Sequence, residues 1–317
     1  DVDYNIISGN ISLSCDRNGL TLDLGEHNDI SDNVFHNSGW HGIQLDGYCY
    51  YNSITGNNCI HSGWDGISIT KSVRYNSITG NNCSQNTHDG IHLISETGNL
   101  TYQNNVVGNT CSGNTEYGIT LYASQKNIIE GNLCTGNGLG GIRLSDVVDG
   151  LGCDDNTIKG NSCTENSQTA TNTYDDIYLE DSDQNSIQGN TCRAGALTNK
   201  PRYGINISNA GCSKNFVIDN DILDDGFDTG SFNDAGTLTH VEDNNRGIRI
   251  DQIKMFRRMK NTSGVQRVVG DVVSLKAVAA GNEVTAPAAI GERQVYGMVA
   301  ETIDSNAWGL VLVKGKT

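Results

Sequence analysis

Tyr51–Cys59 reads YNSITGNNC, and Tyr75–Cys83 repeats it letter for letter 24 residues later. The stretch belongs to a longer series. The pattern N-x-I/V-x-G/D-N begins at Asn5, Asn28, Asn52, Asn76, Asn104, Asn127, Asn156, Asn185 and Asn215, at intervals of 23 to 30 residues. A second phrase, G-I/L-x-L/I, follows within the units. It runs from Gly19-Leu20-Thr21-Leu22 to Gly204-Ile205-Asn206-Ile207, with Asp176 in place of the glycine in one copy. Both phrases set apolar residues two apart, the period of a strand with one buried face. Asn and Gly flank each strand, and these residues best tolerate the left-handed backbone of sharp turns. Short strands, tight turns and a period in the twenties describe a solenoid in which each unit is one coil. With stacked strands about 4.8 Å apart, nine coils make a rod about 40 Å long.

The composition agrees with a thin, layered core. Hydrophobic residues make up 36% of the 317 and aromatics 6%, whereas glycine occurs 38 times and proline twice. The formal net charge of −16 excludes the basic surface that nucleic-acid binding needs, and an anionic membrane would repel it. No apolar run of about 18 residues is present to span a bilayer. The first residues, DVDYNIISGN, already lie inside the repeat, so the chain reads as a piece of a longer polypeptide with no targeting segment of its own. Six of the ten cysteines (Cys59, Cys83, Cys111, Cys134, Cys163 and Cys192) occupy one repeat position, and Cys49, Cys153 and Cys212 share another. Without CxxC pairs they read as a ladder of small buried hydrophobes, which favours synthesis in a reducing compartment.

These repeats resemble the right-handed parallel β-helix of the pectin-lyase-like superfamily, in particular its NosD-like and carbohydrate-binding/sugar-hydrolase branch. The resemblance covers roughly residues 1–225. It implies an all-β, single-stranded right-handed parallel β-helix, and it leaves the chemistry open because lyases, hydrolases, epimerases, adhesins and stalks share the fold. The enzymes' motifs are departed from. N-T-D, D-D, G-H-G and R-x-K do not occur in order, and Gly39-Trp40-His41-Gly42 only approaches G-H-G. D-P-H is absent.

Function is therefore sought where the repeat varies. The residue before the G-I-x-L glycine is His41, Asp65, Asp89, Tyr117, Gly140, Asp175 and Tyr203 in successive units. The residue before that is Trp40, Trp64, His88, Glu116, Leu139, Tyr174 and Arg202. Aromatic rings beside Asp and His suit a sugar's apolar face and hydroxyls, so Trp40, His41, Trp64, Asp65, His88 and Asp89 form an expected carbohydrate-binding strip. Asp65 and Asp89, about 5 Å apart in stacked coils, also match the carboxylate spacing of retaining glycosidases. Asp175 and Asp176, beside the insertion at 167–176 and with Glu180 near, are reserve catalytic candidates. The plainer reading of these positions is that Asp-Gly and His-Gly pairs cap turns. Asp219, Asp221, Asp224, Asp225 and Asp228 crowd the end of the repeat, where hard oxygen ligands would suit Ca²⁺, although no EF-hand spacing is present. A solvated acidic loop is the alternative there, and no other cofactor is indicated.

After about residue 225 the texture changes. Residues 226–258 read as a connecting or capping segment and 259–317 as a small β-barrel or β-sandwich, with strands at Val268–Leu275, Val295–Val299 and Trp308–Val313. Phrases such as G-D-V-V-S-L and W-G-L-V-L-V-K-G resemble small β modules of bacteriophage structural proteins. That resemblance implies a rod that forms a homotrimer or docks on other virion proteins, placed on a virion or cell surface. The expected function is non-catalytic binding of a carbohydrate or cell-surface glycan. A polysaccharide lyase or glycoside hydrolase is the alternative.

Overall fold

The computed structural model describes residues 2–145, 150–222, 226–242 and 244, together with five strands between Met255 and Lys314. Among the described residues all regular structure is β. The chain divides into two compact units, Asp1–Arg246 and Gly247–Thr317.

The first unit is a right-handed parallel β-helix of about ten coils with three faces. One face is a ten-stranded sheet from Ile6–Ser8 to His240–Glu242, and the second a nine-stranded sheet from Leu20–Asp23 to Gly230–Asp234. The third consists of two runs, from Ile11–Leu13 to Asn58–Ile60 and from Thr110–Ser112 to Thr191–Arg193, joined by bridges from Asn82 to Asn58 and to Thr110. Equivalent residues of successive units pair in register. Ser53, Ile54 and Thr55 of the first YNSITGNNC face Ser77, Ile78 and Thr79 of the second. Inward columns follow from this register, such as Ile43, Ile67, Ile91, Ile119, Ile142, Ile177 and Ile205. All seven are fully buried, and each adds about 1.5–3 kcal/mol.

Corners are made by single left-handed residues. In one coil Tyr51, Gly56 and His61 have φ of 57°, 67° and 56°. The residue after each corner points inward, and at two of the three corners it is asparagine in nearly every coil. Asn81 shows what the amide does there. Its Oδ1 accepts from Asn57 N at 2.9 Å and Asn57 Nδ2 at 3.0 Å. Its Nδ2 donates to Ile54 O at 2.8 Å and Asn109 Oδ1 at 3.0 Å. Both donors and both lone pairs are thus used at a site only 1% exposed. A shorter amide ladder, Asn86–Asn114–Asn137–Asn166, lines the third corner.

The glycine of G-I-x-L is required by close approach. A Cβ on Gly66 would lie 2.7 Å from Gly90 O and 2.8 Å from Cys83 Cβ. Asp176 holds this position in the coil that carries the insertion. Its Oδ1 accepts Asn166 Nδ2 at 2.7 Å and so completes the third amide ladder. The cysteines stack as Cys111, Cys134, Cys163 and Cys192 with no disulfide.

The helix runs further than the repeat motif. Gly230–Asp234 and His240–Glu242 pair as coil strands beyond residue 225, and Asn220 Nδ2 donates to Asn244 Oδ1 at 2.8 Å. Thr239 stands where the leading Asn would, which removes the signature of this last rung and explains the expectation of nine coils. In the second unit Met255–Asn261, Val272–Val278, Gly281–Thr285, Tyr296–Val299 and Trp308–Lys314 close into a five-stranded barrel. Its strands begin at Met255 rather than at residue 259.

Two outcomes follow from this packing. Asn81→Ala leaves Asn57 and Ile54 unpaired and should cost about 2–4 kcal/mol in urea unfolding. Asn81→Asp should cost more, since its second oxygen would face Ile54 O and Asn109 Oδ1; equal losses would contradict the ladder's polarity. Burial pushes the Cys153 thiol up to about 12 and that of Cys111 well above its ordinary value. Because the other nine are buried, a thiol-reactive probe on the folded protein should label Cys15, the one part-exposed cysteine, and reach the rest only on unfolding.

Candidate functional site

The two variable columns run along the corner that feeds the nine-stranded sheet. The outer column is linked by backbone bonds from Trp64 N to Trp40 O, His88 N to Trp64 O, Glu116 N to His88 O and Leu139 N to Glu116 O, and beyond the insertion from Arg202 N to Tyr174 O. Trp40 and Trp64 are 41% and 49% exposed, as a surface strip requires. Their rings lean on one another, however, with centroids 5.9 Å apart and planes 20° apart. Arg17 lies 5.1 Å over Trp40, and His88 leans on Trp64 at 6.1 Å. The column stacks on itself and offers solvent mainly ring edges, a poorer seat for a sugar face than separated rings.

The inner column is buried, contrary to the expectation of a sugar-facing surface. His41, Asp65 and Asp89 are 5%, 4% and 3% exposed. Each serves as an acceptor for the backbone one coil on. Asp65 N donates to His41 Nδ1 at 3.3 Å, Asp89 N to Asp65 Oδ1 at 3.1 Å and Tyr117 N to Asp89 Oδ1 at 2.8 Å. Asp175 repeats the device for Tyr203 N at 3.0 Å, and its carboxylate is also held by Arg202 at 3.1 and 2.7 Å and by Asn206 at 2.8 Å. The turn-capping role thus accounts for all four acceptors, and Asp176 lies buried in the amide ladder described above.

Their free oxygens nevertheless meet a residue from outside the column. His92, on the outward face of the strand Ile91–Ile94, brings Nδ1 to 3.5 Å from Asp65 Oδ2 and 3.7 Å from Asp89 Oδ2. His41 Nδ1 lies 3.2 Å from the same Asp65 oxygen. Burial alone would raise the Asp65 carboxyl, but the two imidazoles outweigh it and hold the group below the usual range. Burial also raises Asp89, with the Asp65 charge adding to the effect and His92 opposing it, to about 7. Burial disfavours the charged form of His92, yet Asp65 and Asp89 raise its affinity for a proton overall.

Further along the same face the insertion at 167–174 walls a groove of about 400 Å³. Tyr117, Leu139, Tyr174 and Arg202 enter it from the corner columns, and Arg143, Tyr178 and Glu180 from the outward faces of the strands. Arg143 Nη1 donates to Tyr122 Oη at 2.7 Å, and its guanidinium lies 5.4, 5.0 and 6.0 Å from the rings of Tyr117, Tyr122 and Tyr178. Glu180 accepts from Ser145 Oγ at 2.7 Å. Tyr122 also meets the His92 ring edge-on at 5.1 Å, so the groove and the buried carboxylates share one continuous face. His92, Arg143 and Tyr178 all occupy the x of G-I-x-L. Strand alternation alone turns that position outward, which is the signal that marks it.

The expected calcium cluster is not assembled among the described residues. Asp221 is ion-paired with Arg193, and Asp228 accepts from Thr171 Oγ1. Asp224 and Asp225 lie outside the described residues.

Three-faced coils, amide ladders and an outward groove define a pectin-lyase-like parallel β-helix. Within that class the chain belongs to the family described as periplasmic copper-binding protein (NosD), which matches residues 1–110 and 106–247. No curated protein sequence matches the chain. Among solved structures it is similar to the Azotobacter vinelandii mannuronan C-5 epimerase AlgE6 A-module, at 20% identity and a TM-score of 0.57, over 69% of this chain and 58% of that one. It is likewise similar to the enzymatically active domain of bacteriophage CBA120 tailspike protein 2, at 12% identity and a TM-score of 0.53, over 91% and 57%. The chain thus spans under two thirds of the length of either structure, and the likeness is one of fold. Among the described residues the thiolate donors that suit cuprous ion are a poor fit, because nine of the ten cysteines are buried in the core. The convergent donor set among the described residues is Asp65, Asp89 and His92.

The carboxylate pair gives stability a pH dependence of definite sign. Asp89 and His92 bind protons more tightly folded than unfolded, so their contributions are fully present in acid. The Asp89 contribution is lost as pH rises through about 7. Asp65 acts oppositely, and its contribution is lost only as pH falls below the ordinary carboxylate value. The melting temperature should decline from mildly acidic to neutral pH, and Asp89→Asn should flatten that decline. An unchanged slope in the variant would show that Asp89 is not the group responsible.

Proposed function

We propose that this chain is a rod-like glycan-binding protein acting outside the cytoplasm. It lays a polysaccharide along the outer face of the nine-stranded sheet and grips it in the groove around Arg143 and Tyr178. The observation that carries this reading is the groove itself. Three tyrosines and a leucine supply apolar surface, while Arg143, Arg202 and Glu180 supply hydrogen-bonding groups for hydroxyls and acidic substituents. The exposed Trp40–Trp64 column extends the strip as an edge contact. The periplasmic description of the family supports an extracytoplasmic location. The likeness to a phage tailspike domain supports display on a virion, where trimerisation or docking through the C-terminal barrel would present the rod.

A second reading, polysaccharide processing, draws on one observation. Asp89 keeps its proton to about pH 7 beside His92, as a general acid must. Its burial and its engagement as a backbone cap favour binding over turnover.

Affinity electrophoresis against a panel of neutral and acidic polysaccharides tests the proposal. At least one glycan should retard the protein, with Arg143→Ala and Tyr178→Ala each weakening binding about tenfold or more and Trp40→Ala weakening it less. Binding indifferent to both groove variants would overturn the assignment. Product release that vanishes in Asp89→Asn while binding persists would establish the enzymatic reading instead.

A further inference from the structure

We propose that Asp65, Asp89 and His92 form a binding site for a first-row divalent metal cation of the zinc type. The three ligand atoms converge within 4.8 Å of one another. Tetrahedral coordination at zinc's usual ligand distances separates neighbouring ligand atoms by about 3.4 Å. His92 Nδ1 already stands 3.5 Å from Asp65 Oδ2 and 3.7 Å from Asp89 Oδ2. A small inward shift completes the triangle.

The aim of the ligands is fixed by the frame. Asp65 Oδ1 takes the Asp89 N–H and Asp89 Oδ1 takes the Tyr117 N–H, which turns both Oδ2 atoms toward His92. Preorientation of this kind through hydrogen bonds is a mark of built metal sites. No Lys or Arg pairs with either carboxylate among the described residues. Asp65 and Asp89 are nine-tenths or more buried, and among the described residues their only ion pairs are with imidazoles. His41 Nδ1 already accepts the Asp65 N–H, and the contact from His92 Nδ1 to Asp89 Oδ2 is too long for a hydrogen bond. The carboxylates are thus balanced only by protons held among Asp65, Asp89 and the imidazoles, which a divalent cation would displace. Two oxygens and one imidazole nitrogen suit a borderline divalent ion, whereas Ca²⁺ needs six to eight oxygens. The part-exposed ring of His92 gives the ion its entry.

Calorimetric titration of the chelator-treated full chain with Zn²⁺ tests this, together with the visible spectrum of the Co²⁺ form. One ion per chain is expected, with the intense d–d bands of low coordination number. His92→Ala and Asp89→Asn should each lower affinity about a hundredfold or more. Asp89→Asn keeps the acceptor for Tyr117 N–H, and melting in chelator checks that both variants fold. The ring pair His36 and His61, 5.0 Å apart, provides the control. No stoichiometric uptake by the parent chain, uptake unchanged in both ligand variants, or uptake lost in His61→Ala instead would each overturn the site. Because the readouts involve no glycan, their outcome is independent of the groove.

Discussion

The structure depends on an asparagine carboxamide that accepts two hydrogen bonds from the preceding coil and donates one forward and one back. Every corner of a solenoid turns backbone amides and carbonyls inward, where no water reaches them, and each would cost about 1–3 kcal/mol if left unpaired. Asn meets this need in one residue because its side chain carries donors and acceptors in equal number. With the corners satisfied, a single layer of Ile, Leu, Val and Cys per coil suffices for the core. A hydrophobic content of 36% is then enough for more than two hundred residues of ordered chain.

The same logic governs the column where chemistry gathers. His41, Asp65, Asp89 and Asp175 each cap the N–H one coil on, and Asn18 does so for His41. The backbone demands an acceptor there and is indifferent to which. Charge and proton affinity can accordingly be set coil by coil without disturbing the frame. Two successive aspartates are what create the buried carboxylate pocket facing His92.

Much of the architecture was legible because the repeat writes the same contact many times. The N-x-I/V-x-G/D-N and G-I-x-L phrases place corners, faces and inward columns, and alternation gives the register. The outer column was legible too, and it supplies Tyr174 and Arg202 to the groove. Three things were hidden. The last rung carries Thr239 in place of the motif's leading Asn, so the backbone continues where the pattern stops. The depth of Asp65 and Asp89 depends on a hydrogen bond between coils, which no local window contains. Arg143, Tyr178 and His92 are each unremarkable in their own strand and acquire meaning only beside residues one or two coils away.

The paired copies of YNSITGNNC carry a consequence for how the chain reaches this state. Two identical strands side by side make a displacement by one whole coil nearly isoenergetic along that face, since Ser, Ile and Thr would meet the same partners. Such a slip is a kinetic trap of the chain's own translational symmetry. What lifts the degeneracy is everything that does not repeat: Trp40 and Trp64 stacked in order, the His41–Asp65–Asp89–His92 constellation, and the insertion that follows Asn166. The irregular residues of the binding face thus also serve as the marks by which a nearly periodic chain finds its register.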